Sequence, residues 1–429
     1  MTITFIGHGY VGLVTAAVFA DFGNTVYVIG HTKEKIENLK RGVIPIYEPG
    51  LGELVKKNVK AKRLIFTLDY KPSVPESDIV FIAVGTPTTK TGDADLSTVL
   101  GVAEKIAQNL EGYTVVATKS TVPAGTNKKV KRILEESKTQ GTEVDYASVP
   151  EFLREGSAIS DTTNPDRIVL GTESKKAQEI LIKLHEPINA PLVLTNFETA
   201  ELIKYAANAF LALKISYDNA IAKLSELLGA DALKVLEGIG TDKRIGNMFL
   251  SPGPGYGGSC FPKDVRALIS IAKDNDYPFS LLEEVENINH QSRRDIVRKA
   301  RKTLGDIRNK KIGILGLAFK ANTDDMRDAP AIDIINLLQN DGAKISAFDP
   351  KAMDTAAVVL KNVEYKKDAY GVCQGADLII VLTEWNEFRE LDFSSIKGKM
   401  KSPNIIDARN LYEPQQMKAK GFNYMGVGR

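Results

Sequence analysis

"MTITFIGHGYVGL", Met1 to Leu13, is the stretch on which the reading of this chain turns. Thr2 to Ile6 is β-rich and breaks into Gly7, Gly9 and Gly12, the spacing G-x-G-x-x-G. A helical pattern follows from Val11 to Phe22, closed by Gly23. Strand, glycine turn and helix in that order allow a tight turn and a close approach of backbone to a pyrophosphate. The helix N-terminus then supplies N–H donors for the phosphate. The hexamer alone is weak evidence, but in this context it implies a dinucleotide cofactor.

The same fingerprint calls for an acid at the end of the second strand, to accept from a ribose 2′-OH. That strand, Thr25 to Ile29, ends in "YVIGHTKEK", so Gly30 holds the place and no carboxylate comes before Glu34. His31, Thr32, Lys33 and Lys35 are donors instead. Losing the acid removes repulsion against a 2′-phosphate, so NADP is admitted; alternatively NAD still binds, with its ribose held by backbone or water.

Further strands are expected in "SDIVFIAVGTP" (Ser77 to Pro87) and "YTVVATKSTVP" (Tyr113 to Pro123). Strands alternating with helical patterns mean a parallel sheet with crossover helices. The pattern recurs in "KKIGILGLAF" (Lys310 to Phe319), "AKISAFDP" (Ala343 to Pro350) and "ADLIIVLTEW" (Ala376 to Trp385). The expected fold class is α/β, with two Rossmann-like doubly wound domains. Between them, Thr195 and Glu198 form a T-x-x-E capping box, and apolar residues recur at helical spacing as far as Gly229. That is a helix of roughly 45 Å. It connects the domains and offers a dimerisation face, or it is a plain core helix. The expected segments are 1–196, 197–298 and 299–429.

The totals agree with several domains in one soluble chain. At 429 residues the chain exceeds what one core serves. A net charge of +2 argues against nucleic acid or an anionic membrane as partner. No apolar run reaches a membrane span, and the N-terminus starts a strand instead of a basic leader. Two cysteines suit a reducing cytoplasm and make one reactive thiol possible. The four histidines, His8, His31, His185 and His290, are scattered without ligand spacing, so no metal is expected.

Cys373 lies in an apolar run, but Cys260 sits in "GPGYGGSCFPKD", between a glycine cluster and charges. A cysteine is nucleophilic as thiolate. Lys263 is near, and "PKDV" begins a helix whose N-terminus faces the sulfur. Gly257 and Gly258 would keep side chains out of a ligand's way. The alternative is an inert cysteine in a glycine turn. Lys204 and Asn208, four apart on the long helix, share a face. The lysine either snorkels to solvent or aims at a developing oxyanion.

Together these stretches resemble the UDP-sugar dehydrogenase family, and within it the enzymes that oxidise UDP-glucose. "GHGYVGL", "GVIPIYEPGL" (Gly42 to Leu51), "VGTPT" (Val84 to Thr88), "KSTVPAGT" (Lys119 to Thr126), "PEFLREG" (Pro150 to Gly156), "DKRIG" (Asp242 to Gly246), "GYGGSCFPKD" and "GLAFKANTDDMR" (Gly316 to Arg327) follow the family's order over almost the whole length. His8 and Gly30 depart from its pattern, the latter replacing the usual Asp.

The resemblance implies a four-electron oxidation at the sugar's C6, with Cys260 trapping the aldehyde between two cofactor visits. Lys204 and Asn208 would stabilise anionic oxygens. Asp264 would order water or move its proton, Thr121 would position that water, and Glu151 would assist hydrolysis. Cofactor contacts would come from Gly7, Gly9, Tyr10, Val11, Gly12, Gly30, Lys35, Val84, Thr86, Thr121, Glu155, Lys263 and Arg327. UDP-glucose would meet Phe152, Leu153, Arg154, Glu155, Lys204, Asn208, Phe249, Leu250, Tyr256, Gly257 and Cys260, with Lys320 and Arg409 from a C-terminal UDP-sugar-binding domain. Arg244 would reach in from a second subunit, which implies a homodimer or higher homo-oligomer. Other readings are another UDP-hexose, such as an N-acetylated one, or an inactive nucleotide-sugar binding protein.

Overall fold

The structure is a computed structural model that describes residues 1–89 and 92–429. It divides into two compact units, Met1–Ala207 with Arg266–Ile271, and Asn208–Val265 with Ala272–Arg429.

The first unit is built on eight strands: β1 (Thr2–Ile6), β2 (Thr25–Ile29), β3 (Leu64–Thr67), β4 (Ile79–Ile82), β5 (Tyr113–Thr118), β6 (Glu143–Ser148), β7 (Ile168–Gly171) and β8 (Leu192–Thr195). Their order is β3-β2-β1-β4-β5-β6-β7-β8. β4 explains why a parallel sheet forms here. Its four residues are all buried, and successive side chains leave opposite faces. Ile79 and Phe81 enter one core with Phe5, Phe19 and Val28; Val80 and Ile82 enter another with Val99, Ile106 and Val116. Phe81 stacks on Phe5 with ring centroids 4.8 Å apart. Each such buried side chain contributes about 1.5–3 kcal/mol.

The sheet departs from the expected all-parallel form at one step. β7 meets β6 antiparallel, through Ser148 and Gly171, and β8 continues parallel to β7. The chain after β6 goes to the Pro150–Gly156 loop and to the helix Ala158–Thr163, which packs on the helix Tyr10–Asp21. That excursion brings the chain back into the sheet from the opposite end.

The second unit carries β9 (Lys311–Leu315), β10 (Lys344–Phe348), β11 (Val363–Tyr365), β12 (Leu378–Val381), β13 (Asn404–Asp407) and β14 (Asn423–Met425), in the order β11-β10-β9-β12-β13-β14. All its pairings are parallel, and the winding repeats that of β1 to β6. This is the second doubly wound sheet expected from the recurring strand pattern.

The long helix runs Phe197–Leu228 and ends at Gly229, whose φ of +71° suits glycine after a helix. Its expected cap is corrected. Thr195 belongs to β8, and Asn196 does the capping, its Oδ1 accepting from the Thr199 N–H at 3.0 Å. Glu198 pairs with Lys128. The boundary between the two units falls inside this helix, after Ala207. Among the described residues no helix is long and apolar enough to cross a membrane.

Strand and helix pack closely at Gly12, where an added Cβ would lie 2.2 Å from the Gly7 carbonyl oxygen. Gly12→Ala is expected to lose about 1–3 kcal/mol in urea unfolding. Parent-like stability would mean that strand and helix are not held that close.

Candidate active site

At the switch point between β1 and β4 the glycines divide their work. Gly7 adopts a φ of +120°, and a Cβ there would stand 2.2 Å from the Ala83 carbonyl oxygen. Gly9 meets nothing within 4 Å, so the space before it is open. The helix Tyr10–Asp21 begins at that opening without a side-chain cap, leaving its first N–H groups available to an anion. Val84 and Thr86 follow β4, and Ser120 and Thr121 follow β5. The Thr86 hydroxyl donates to the Thr121 carbonyl at 2.8 Å, and the Ser120 hydroxyl donates to the Val84 carbonyl at 2.7 Å. Gly30 follows β2, and Lys35 lies exposed on the helix Lys33–Lys40. This cradle fits a dinucleotide. Among the described residues no His, Cys, Asp or Glu cluster could hold a metal ion.

Tyr10 does something different from its neighbours. Its hydroxyl pairs with Glu48 and accepts from the Gly156 N–H at 2.9 Å. Glu48 also accepts from the N–H groups of Gly156 and Ala158, at 2.6 and 2.8 Å. Three motifs distant in sequence, "GYVG", "YEPG" and "REG", therefore close on one carboxylate. In sequence Glu48 carries only the signal of a carboxylate in an otherwise apolar stretch.

Glu151 and Lys204 form the centre of the first unit's site. Lys204 does not snorkel; it is 3% exposed, and its Nζ lies 3.1 Å from Glu151 Oε1. Glu151, also buried, accepts from the Leu153 N–H at 2.6 Å. Burial pushes its carboxyl up, but Lys204, that N–H and Lys119 together hold it below the usual range. Phe152 lies beneath, its ring centroid 5.3 Å from Lys204 Nζ and 3.5 Å from the Arg167 guanidinium carbon. Lys119, from "KSTVP", is a second buried ammonium. Burial lowers it to about 8, partly opposed by Glu151 and reinforced by Lys204. Glu201 pins the same motif to the long helix, accepting from the N–H groups of Gly125 and Asn127 at 2.6 and 2.7 Å. Leu153, Glu155 and Thr121 are half-buried, while the Arg154 side chain is committed to Asp161 at 2.6 Å.

In the second unit Cys260 is a half-exposed cysteine, in no disulfide, at the N-cap of the helix Phe261–Asp274. Cys373 is its opposite: fully buried, its thiol pushed up to about 12 by burial and by Asp368. Asp264 is also fully buried; it accepts from Asn208 Nδ2 at 2.6 Å and pairs with Lys263. Leu250 and Phe249 are half-buried, and the Phe249 ring centroid is 6.3 Å from that of Phe261. Tyr256 is buried, and its backbone is held by Asn289 and Arg293. Asp218, which carries no signal in sequence, holds the Ser251 N–H at 2.7 Å; burial raises it to about 7.

Gly257 and Gly258 correct an expectation. The room they leave is filled by protein: a Cβ at Gly257 would lie 2.5 Å from the Asp328 carbonyl oxygen, and one at Gly258 2.8 Å from the Phe319 ring. They are small so that the loop can pack. Arg409 donates to the Leu382 and Phe319 carbonyls at 2.8 and 2.9 Å, beside Lys320, whose Nζ is 5.6 Å from the Phe319 ring centroid. Arg327 and Arg244 are both exposed and bonded to near neighbours, Asp325 at 2.8 Å and Asp242 at 2.6 Å.

An open glycine turn at the switch point of a doubly wound sheet defines a dinucleotide-binding protein of the dehydrogenase class. The chain belongs to the UDP-glucose/GDP-mannose dehydrogenase family: its NAD binding domain matches residues 1–189, its central domain 198–291 and its UDP binding domain 313–414. It is 50% identical to the UDP-glucose 6-dehydrogenase TuaD of Bacillus subtilis, over all of this chain and 93% of that one. A UDP-glucose dehydrogenase structure from Pyrobaculum islandicum superposes with a TM-score of 0.93 at 36% identity, covering 100% of this chain and 97% of that one. A UDP-D-ManNAc dehydrogenase from Pyrococcus horikoshii gives 0.89 at 29%, with 100% and 99% covered.

Lys119 sets a pH dependence. Its ammonium titrates near 10.5 when unfolded and near 8 in the fold. Between those values the unfolded chain holds a proton that the folded chain has lost, so stability rises with pH from 8 to 10.5. Lys119→Met is expected to flatten that part of a urea-unfolding profile. An unchanged slope would remove Lys119 as its source.

Proposed function

We propose that the protein oxidises the C6 alcohol of UDP-glucose to the carboxylate of UDP-glucuronate. One observation carries this reading: of the two cysteines, neither in a disulfide, one is buried with its thiol pushed up, and the other stands half-exposed at a helix N-terminus beside a glycine loop. Gly7, Gly9, Gly12, Val11, Val84 and Thr86 would hold NAD or NADP, which would supply the hydride acceptor for both oxidations. Cys260 adds to the C6 aldehyde through sulfur, giving a thiohemiacetal. Loss of its second hydride leaves a thioester, and water releases the acid and restores the thiol. Atoms and electrons balance: two hydrides leave carbon, one water oxygen enters, and the remaining protons pass to solvent.

Lys204 and Asn208 stabilise the oxyanion of each tetrahedral state. Glu151 holds the Lys204 ammonium in place and, with Thr121, serves the hydrolytic water. Asp264, tied to Asn208 and Lys263, moves that water's proton. Phe152, Leu153, Arg154 and Glu155 supply the wall for the hexose. Phe249, Leu250, Tyr256 and the Gly257 backbone contact uridine and sugar, and Lys320 and Arg409 meet its charged part. Arg327, Lys263, Glu155 and Lys35 serve the cofactor.

The three segments 1–196, 197–298 and 299–429 act as cofactor, dimerisation and UDP-sugar domains, with a second chain presenting Arg244. The long helix supports a homodimer: Phe210, Tyr217 and Leu224, seven residues apart, are each half-exposed or more, with Leu202 and Leu228 extending the stripe. A free reactive thiol suits the reducing cytoplasm.

Full conversion is expected to yield two reduced cofactors per UDP-glucose. Cys260→Ser is expected to slow acid release roughly 10³-fold or more. One reduced cofactor per sugar, or parent-like release by the serine variant, would sink the reading. A second reading, an N-acetylated UDP-hexose, is favoured by the likeness to the UDP-D-ManNAc dehydrogenase structure; turnover of that sugar and not UDP-glucose would establish it.

Phe210→Glu with Leu224→Glu is expected to halve the mass in sedimentation equilibrium. An unchanged dimer would place the contact elsewhere.

A further inference from the structure

We propose that His8 and Gly30 act as one specificity element: the imidazole, together with the Ile36 side chain, fills the place of the side chain that position 30 lacks, so the adenosine-ribose subsite is free of a carboxylate and takes a 2′-phosphate. The proposal rests on the reading that the glycine-turn crevice binds a nicotinamide dinucleotide.

Gly30 directly follows β2, where dinucleotide folds carry the acid that binds the ribose 2′-OH. Its φ is not positive, so the backbone does not demand glycine there. Space demands it. A Cβ at Gly30 would lie 2.6 and 2.8 Å from Ile36 Cδ1 and Cγ1, and 3.0 Å from His8 Nδ1. His8 comes from the glycine turn itself and is 7% exposed, and its Nδ1 has no hydrogen-bond partner among the described residues. Its ring centroid is 5.2 Å from that of His31. Burial, then His31, then Lys35 hold its imidazole below the ordinary range. A neutral ring in that place repels neither a hydroxyl nor a phosphate. The exposed His31, Lys33 and Lys35 supply the polar and cationic side that a 2′-phosphate needs.

Positions 8 and 30 are then coupled, and an acid restored at position 30 alone must displace both side chains. An Asp at position 30 collides with the imidazole and with Ile36. When the imidazole is removed, the Ile36 terminal methyl turns into the room and the carboxylate enters.

The experiment is calorimetric titration of 2′,5′-ADP and 5′-ADP into the full-length parent, Gly30→Asp, His8→Ala and the double variant, with thermal unfolding of all four. The parent is expected to bind 2′,5′-ADP about tenfold more tightly than 5′-ADP. Gly30→Asp is expected to weaken both nucleotides and to lower Tm. The double variant is expected to recover Tm and to bind 5′-ADP about tenfold more tightly than 2′,5′-ADP. Equal binding of the two nucleotides by the parent, or a Gly30→Asp variant that behaves like the double variant, would overturn the proposal. If neither nucleotide bound the parent, the dinucleotide reading itself would fall, and additivity in the thermal cycle would still decide the His8–Gly30 coupling.

Discussion

A buried ammonium and a buried carboxylate, 3.1 Å apart, are the constraint on which the site in the first unit depends. Taking both charges out of water costs several kcal/mol each, and the attraction between them repays this only with good geometry and further hydrogen bonds. Glu151 has those bonds, from the Leu153 N–H as well as from Lys204. Removing either partner would leave the other charged and unpaired, at a cost of about 3–5 kcal/mol. An apolar pair of the same volume would fold at least as well. Such a pair suits the oxyanion role proposed for Lys204: an ammonium held without water stabilises a developing negative charge, and the carboxylate keeps it charged.

The loops around the candidate site are held by the same device at smaller scale. Glu48 gathers the N–H groups of Gly156 and Ala158, and Glu201 gathers those of Gly125 and Asn127. Asp218 and Asn219, adjacent on the long helix, take the N–H groups of Ser251 and Gly253. Each loop is irregular and cannot satisfy its own backbone. A buried acceptor on a rigid helix or a neighbouring loop does so instead, and in doing so sets the loop's position. Rigid elements therefore fix the reactive side chains even where those side chains sit on loops.

This division explains what could be read from sequence. β1, β2, β4, β5, β9, β10 and β12 are apolar runs ending in turn residues, and each was legible. β3, β7, β8, β11, β13 and β14 are three or four residues long. β11 reads Val-Glu-Tyr, and β8 is largely exposed, so neither carries the pattern of a buried strand. The candidate residues Cys260, Lys204, Asn208 and Asp264 stood out in sequence because they lie in recognisable motifs or at helical spacing. Glu201 and Asp218 were not. A carboxylate that caps a helix 76 residues away looks, in sequence, like any solvated carboxylate on a helix face.

Glycine was the residue most open to misreading, since one letter answers several physical demands. Gly7 answers a demand for positive φ, and Gly9 answers a demand for empty space. Gly257 and Gly258 suggested room for a ligand, yet the Asp328 carbonyl and the Phe319 ring occupy that room. Gly30 suggested a missing function, a lost ribose ligand, yet its place is taken by His8 and Ile36. Sequence can register that a side chain is absent but not what stands there instead, because the occupant comes from another part of the chain. His8 and Gly30 are 22 positions apart in sequence and meet only because β1 and β2 are neighbours in the sheet. Two residues that look unrelated along the chain share, in the fold, one small volume with Ile36.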